Sequence, residues 1–196
     1  MAEVIRLGIF GGSFNPIHLG HLILAETARE ALRLDRVLFI PANQPPHKAA
    51  AELVPGPVRL QLIKLAIRDH PAFAASDIEL RRPGPSYSID TVRLIRAEAP
   101  KAELVLLVGE DMLSVRWASW AELTRLCTIA AARRPGASRA ARAGRIAWLP
   151  MPPVDIASSD IRERLRAGRS IRYLVPAPVE RYLRAHHAYR RGGPAA

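Results

Sequence analysis

Segments with strand character and segments with helix character alternate along almost the whole chain, and that alternation leaves few folds open. Short apolar runs read as buried strands: Arg6 to Gly11, "VLFIP" at 37–41, "ELVLLVG" at 103–109 and Cys127 to Ala132. Shorter strands are predicted from Phe73 to Leu80 and from Arg145 to Leu149. Helices are predicted from His18 to Leu32, Pro57 to Asp69, Ser88 to Glu98 (Ser88 as N-cap), Ser119 to Leu126, Ser158 to Ala167 and Pro178 to His187. The pattern predicts an α/β fold, a Rossmann-like doubly wound parallel sheet with helices on both faces. A small helical segment over 155–190 completes a single domain spanning 1–196. Such sheets bind ligands at the carboxyl ends of their strands, near the point where strand order reverses. The loops after Phe10, Ile40, Val108 and Leu149 are therefore expected to converge.

With 49% hydrophobic residues in 196, the chain can bury a core of its own. No apolar run approaches the ~18 residues of a membrane span, and the start lacks a signal-peptide pattern. The one cysteine, Cys127, cannot form an internal disulfide; it reads as a buried strand residue and suits a reducing cytosol. Against 18 acids stand 29 basic residues, a net charge of +11 that attracts polyanions. No acid lies between Glu122 and Asp155, where Arg125, Arg133, Arg134, Arg139, Arg142 and Arg145 fall. At least half of the arginines are expected simply to form a solvated face.

The stretch "GIFGGSFNPIHLGHL" at 8–22 carries the chemistry. Gly11 and Gly12 follow the first strand, where they would let the chain turn and approach a ligand. Pro16 suits a helix's first turn, with Asn15 as its N-cap. His18 and His21 would then share one face of that turn, beside free N–H groups and the positive end of the helix dipole. Together these form an anion site suited to phosphate. Neither a Walker P-loop nor the G-x-G-x-x-G dinucleotide fingerprint is present. Zinc would need a third ligand, and His47, His70, His186 and His187 show no supporting spacing, so no metal ligand is assigned.

"GGSFNPIHLGH" resembles the H-x-G-H signature of the nucleotidyltransferase superfamily. The wider chain resembles the nicotinate-nucleotide adenylyltransferase family through "PANQPPHK" (41–48), "RRPGPSYSIDTV" (81–92), "GED" (109–111), "RRPG" (133–136) and the stretch 155–183. The resemblance implies transfer of adenylate from ATP to nicotinate mononucleotide, releasing pyrophosphate, in NAD biosynthesis. It also implies in-line attack without a covalent intermediate, and Mg²⁺ accompanying ATP. By resemblance His18, His21 and Arg162 are catalytic and hold the ATP phosphates. Gly11, Gly12, Ser13, Phe14, Gly20, Gly109, Asp111, Ile156, Ser158 and Ser159 complete the ATP side, Asp111 accepting from a ribose. Asn43, His47 and Lys48 would receive the mononucleotide phosphate. Backbone amides at Ser86, Tyr87 and Ser88 would hold the pyridine carboxylate, and Trp117 would stack on the ring, with Trp120 its rival.

The chain departs from the family pattern at five places, among them Ser88, which stands for a common Thr, and the segment from Asp111 to Trp117, which is about two residues shorter than the resemblance implies. Asn15 stands where Asp is frequent, which weakens any metal contact there, and Ala157 and Ser159 stand for Ser and Thr in "DIASSDIR". The expected partners are small molecules, with neither nucleic acid nor membrane. A homo-oligomer stays open, as does a role for Arg134 in substrate contact. Two alternatives remain at this level: another phosphate acceptor, such as nicotinamide mononucleotide or phosphopantetheine, or a basic nucleic-acid-binding protein. The second lacks a helix-turn-helix, a zinc finger and an RNA-binding aromatic motif.

Overall fold

A computed structural model describes residues 4–46, 53–132 and 146–189. His47, Lys48 and Arg134 lie outside the described residues. Six strands form one parallel sheet: β1 (Arg6–Gly12), β2 (Arg36–Pro41), β3 (Phe73–Ala75), β4 (Glu103–Gly109), β5 (Thr128–Ala132) and β6 (Ile146–Leu149). Their spatial order is β3-β2-β1-β4-β5-β6, so the strand order reverses between β1 and β4. The sheet is the doubly wound one expected from the alternation.

Side chains of a strand alternate between faces, and here both faces are covered. Leu104, Leu106 and Val108 of β4 join one core with Ile89, Val92 and Ile95 of α3 (Ser88–Glu98) and Leu123 of α4 (Trp120–Leu126). Val105 and Leu107 point the other way. They join Leu24, Ala25 and Ala28 of α1 (Leu19–Ala31), and Leu62, Ile63 and Ile67 of α2 (Gly56–Ile67). α5 (Ser158–Arg166) and α6 (Ala177–Ala185) share that second core through Ile161, Leu165, Val179 and Leu183. Burial on both sides explains why the central strands read as unbroken apolar runs. Among the described residues no helix is long and apolar enough to cross a membrane.

Several local expectations are corrected. β3 stops at Ala75, and 76–87 is loop and turn. α3 is capped by Tyr87, not Ser88. Cys127 sits at the junction of α4 and β5, where its thiol donates to the Leu123 carbonyl at 3.3 Å; burial pushes its pKa up to about 12.

The opening stretch differs most. Gly11 and Gly12 do not turn the chain: they are the last residues of β1, in register with Ile40 and Pro41. The turn is made at Phe14, whose φ of 43° is left-handed. Asn15 is not the N-cap. That position belongs to His18, and α1 begins at Leu19. Pro16, joined to Asn15 by a cis peptide, lies before the helix.

Candidate active site

The carboxyl ends of the strands open into a cleft of about 690 Å³ at the β1/β4 reversal. Gly11 and Gly12 line it from β1, Ala42 just beyond β2, Gly109 from β4, Ala132 from β5 and Met151 beyond β6. The expected convergence of these loops is realised.

One end is built from the first turns of α1 and α5. The His18 and His21 rings lie with centroids 3.7 Å apart, both lining the cleft. His21 Nδ1 accepts the His18 backbone N–H at 3.2 Å. A ring nitrogen that accepts carries no proton, which places the hydrogen of the neutral tautomer on Nε2. His18, only 3% exposed, is packed over Gly20, where a methyl group would come within 3.1 Å of the ring. At Gly11 a side chain would meet no protein atom within 4 Å; the missing side chain leaves cleft space. The Leu19 N–H is taken by the Leu174 carbonyl at 2.9 Å, while the Gly20 N–H has no partner among the described residues.

α5 closes this end from the opposite side. Arg162 Nη1 donates to the Asn15 carbonyl at 3.0 Å, and the Ser158 hydroxyl donates to the Pro16 carbonyl at 2.9 Å. These bonds fix the α5 N-terminus against the turn that presents His18. Ser158 is one residue inside its helix, with Ala157 at the N-cap. Its hydroxyl is thus committed to protein, while its N–H remains without an intrahelical acceptor. Ser159, Ile156 and Arg162 line the cleft as well.

Across these residues the match to known proteins is broad. Residues 9–164 match the family model described as cytidylyltransferase-like. A protein of Thermomicrobium roseum named "probable nicotinate-nucleotide adenylyltransferase" is 46% identical over 94% of this chain and 92% of its own. One of the same name from Thermus thermophilus is 44% identical over 95% of this chain and all of its own. This chain belongs to the nicotinate-nucleotide adenylyltransferase family. The fold agrees with that of the Plasmodium falciparum nicotinic acid mononucleotide adenylyltransferase solved with NaAD. The TM-score is 0.79 at 15% identity, over 94% of this chain and 97% of the other.

The other end of this adenylyltransferase cleft lies at α3 and the loop after β4. Ser86, Tyr87, Ser88 and Trp117 all line it. Trp117 donates its indole N–H to the Met112 carbonyl at 2.6 Å, which fixes the ring. Trp120 stands 5.7 Å from it by ring centroid, packed on the core and not in the cleft. Asp111 lines the cleft, with its carboxylate folded back over Gly109; a side chain at Gly109 would collide with it.

Four expected residues sit differently. Phe14 is buried in the core, edge-on to Phe10 at 5.3 Å, because its left-handed backbone turns the ring inward; it does not line the cleft. Asn43 is half-buried behind the wall, its amide donating to the Arg82 carbonyl at 3.0 Å. Of the three amides expected to hold a carboxylate, those of Ser86 and Tyr87 are bonded to the carbonyls of Gln44 and Pro85. Only the Ser88 N–H is uncommitted among the described residues.

Asn15 plays a different part from the cap expected of it, and three residues, Arg59, Arg116 and Glu79, were not anticipated. Asn15 is 2% exposed, and its Oδ1 accepts the Tyr189 hydroxyl at 2.7 Å and the Val54 N–H at 3.2 Å. That oxygen is thereby bonded to protein from two sides, while Asn15 as a residue still lines the cleft. Arg59, equally buried, donates to the carbonyls of Ser13 and Val54, both at 2.9 Å; burial lowers its pKa. Arg116 lines the cleft beside Trp117 and forms no ion pair with the described residues. Glu79 lines it too and is buried. Sequence offered a signal for one of them: Glu79 is an acid flanked by Ile78 and Leu80.

Proposed function

We propose that the protein joins ATP and nicotinate mononucleotide, forming nicotinate adenine dinucleotide and pyrophosphate, a step of NAD biosynthesis. The observation that carries this reading is the facing pair of helix starts, α1 with His18 and His21 and α5 with Arg162, at one end of a cleft whose other end holds Trp117 and the start of α3. One end suits a polyphosphate. The other suits a flat ring.

A phosphate oxygen of the mononucleotide attacks the α-phosphorus of ATP in line. The new P–O bond forms as the bond to the α,β-bridging oxygen breaks, and pyrophosphate leaves with that electron pair. The attacking oxygen is already anionic, so no general base is required. Positioning and charge neutralisation supply the catalysis. His21 Nε2–H and His18 donate to the phosphates, and Arg162, held by the Asn15 carbonyl, brings a fixed cation. Gly11, Gly12, Ser13, Gly20, Gly109, Asp111, Ile156, Ser158 and Ser159 border the adenylate; Ser86, Tyr87, Ser88 and Trp117 border the pyridine.

No group of three or more His, Cys, Asp or Glu residues among those described could hold a metal ion. Mg²⁺ therefore fits best as part of the ATP substrate, bound by phosphate oxygens and water and offsetting their charge. The cytoplasm is the compartment this chemistry and the single thiol suit.

The test is pyrophosphate release by purified protein with Mg·ATP and nicotinate mononucleotide, with nicotinamide mononucleotide in parallel. Release with the acid is expected, cut ~10²-fold or more in His18→Ala while the fold persists. Equal or faster turnover of the amide would reassign the acceptor, and no release with either would discard the pyridine end of the reading.

A further inference from the structure

The loop between β3 and α3 places one buried carboxylate that the reaction above does not use. Glu79 is 5% exposed, yet it lines the cleft next to Ser86, Tyr87 and Ser88. Burying a carboxylate is costly unless its oxygens are bonded, and the cost here pushes the Glu79 pKa up.

Its bonds are directional. The Thr91 hydroxyl donates to Glu79 Oε1 at 2.6 Å. The competing acceptor for that single proton, the Tyr87 carbonyl, is at 3.5 Å, so the proton belongs to Glu79. The Ser86 hydroxyl faces the same carboxylate, on the wall of the cleft both line, and helps hold its pKa down against the burial. Ser86 Oγ accepts the backbone N–H of Asn43 at 2.9 Å and of Gln44 at 3.3 Å. A hydroxyl has two lone pairs and one proton. With both lone pairs engaged by the loop after β2, the proton is left for the carboxylate. The Ser86 N–H returns a bond to the Gln44 carbonyl at 2.9 Å, and the Asn43 side chain reaches the Arg82 carbonyl.

The loop after β2 is thereby latched to the start of α3, and Glu79 sets the orientation of the hydroxyl that forms the latch. Pro45 and Pro46, next along that loop, line the cleft. We propose that Glu79 is a positioning residue: acting through Ser86 and Thr91, it joins the loop after β2 to α3 and so shapes the half of the cleft that takes the acceptor mononucleotide. The proposal rests on the reading above, in which ATP occupies the imidazole end and the acceptor the α3 end.

Two measurements on the full chain test it. Amide hydrogen exchange at Asn43 and Gln44 reads the latch without any substrate. Exchange there is expected to accelerate about tenfold in Glu79→Ala, the equivalent of one lost hydrogen bond, with β1 and β4 unchanged. Initial rates with each substrate varied read the shaping. KM for nicotinate mononucleotide is expected to rise about tenfold in Glu79→Ala, with KM for ATP within about twofold. Glu79→Gln, which keeps a carbonyl for both hydroxyls, should recover most of the loss. Thr91→Val, nearly isosteric and certain to leave Ser86 in place, should give a smaller change of the same kind. Unaltered exchange at Asn43 and Gln44 overturns the latch. Faster exchange with unchanged KM, or both KM values rising together, overturns the positioning role. A wild-type protein that does not turn over nicotinate mononucleotide would sink the proposed reaction instead, and the exchange result would still judge the latch.

Discussion

Gly20 offers a test in which stability and activity are expected to move in opposite directions. It is the second residue of α1, and a Cβ there would lie 3.1 Å from His18 Nδ1, 3.2 Å from Cε1 and 3.6 Å from Val154 Cγ1. Relief requires the imidazole to retreat by a few tenths of an ångström. The ring has little room, being 3% exposed with the His21 ring 3.7 Å away by centroid. Alanine is the better helix former by up to ~1 kcal/mol, less in a first turn. In a chain of this size that would raise Tm by at most about 2–4 °C. A 1 Å misplacement of a catalytic group can cost ~10²-fold, so a few tenths of an ångström should cost about tenfold in kcat. The expected result for Gly20→Ala is thus a melt no lower than wild type and pyrophosphate release down about tenfold. The double variant His18→Ala, Gly20→Ala separates a displaced imidazole from blocked ATP. Once the ring is gone, the methyl group should cost nothing further. Activity of Gly20→Ala within twofold of wild type, or a full additional loss in the double variant, would refute the claim that glycine is there to make room for His18.

Three further outcomes follow from buried groups. Arg59→Met removes two charge-assisted bonds to the Ser13 and Val54 carbonyls and should lower stability by about 2 kcal/mol, a Tm drop of roughly 4–8 °C by calorimetry. Cys127, with its pKa pushed up to about 12, has on the order of 10⁻⁴ of its thiol ionised at pH 8. Iodoacetamide should therefore label it only on unfolding, as read by intact mass; rapid labelling of native protein would contradict its burial. Glu79 has a folded pKa raised by burial above the ordinary 4.5. The folded state binds its proton more tightly, so this group's contribution is fully present below about 4.5 and is lost as pH rises through the folded value. Denaturant titrations should show wild type gaining on Glu79→Gln as pH is lowered through that window, and a pH-independent difference would contradict the shift.

Family membership also places some residues beyond what periodicity can say. The alternation of apolar runs was enough for the sheet, because a parallel strand buried on both faces has to be apolar throughout, as Leu104 to Val108 are. The spacing of His18 and His21 was enough to put both rings on one turn. The identity of that turn's cap was not legible. Asn15 is the better cap by propensity, yet its side chain is drawn inward by Tyr189, 174 positions away. The choice between Trp117 and Trp120 was equally closed to sequence, since both follow the same loop and only packing decides which ring faces the cleft.

By itself, then, the sequence determined what depends on neighbours within a few positions: element types, the sheet's apolar strands and the paired imidazoles. The tertiary structure alone decided what depends on residues far apart in the chain. It tied Ser158 to Pro16 and Arg162 to Asn15, and brought Ser86 against Asn43. It also turned Gly11 of β1 from a hinge into open space. Helical and strand periodicities repeat over two to four residues, so they are written locally. A hydrogen bond across 142 positions exists only once the cores on both faces of the sheet have brought its partners together.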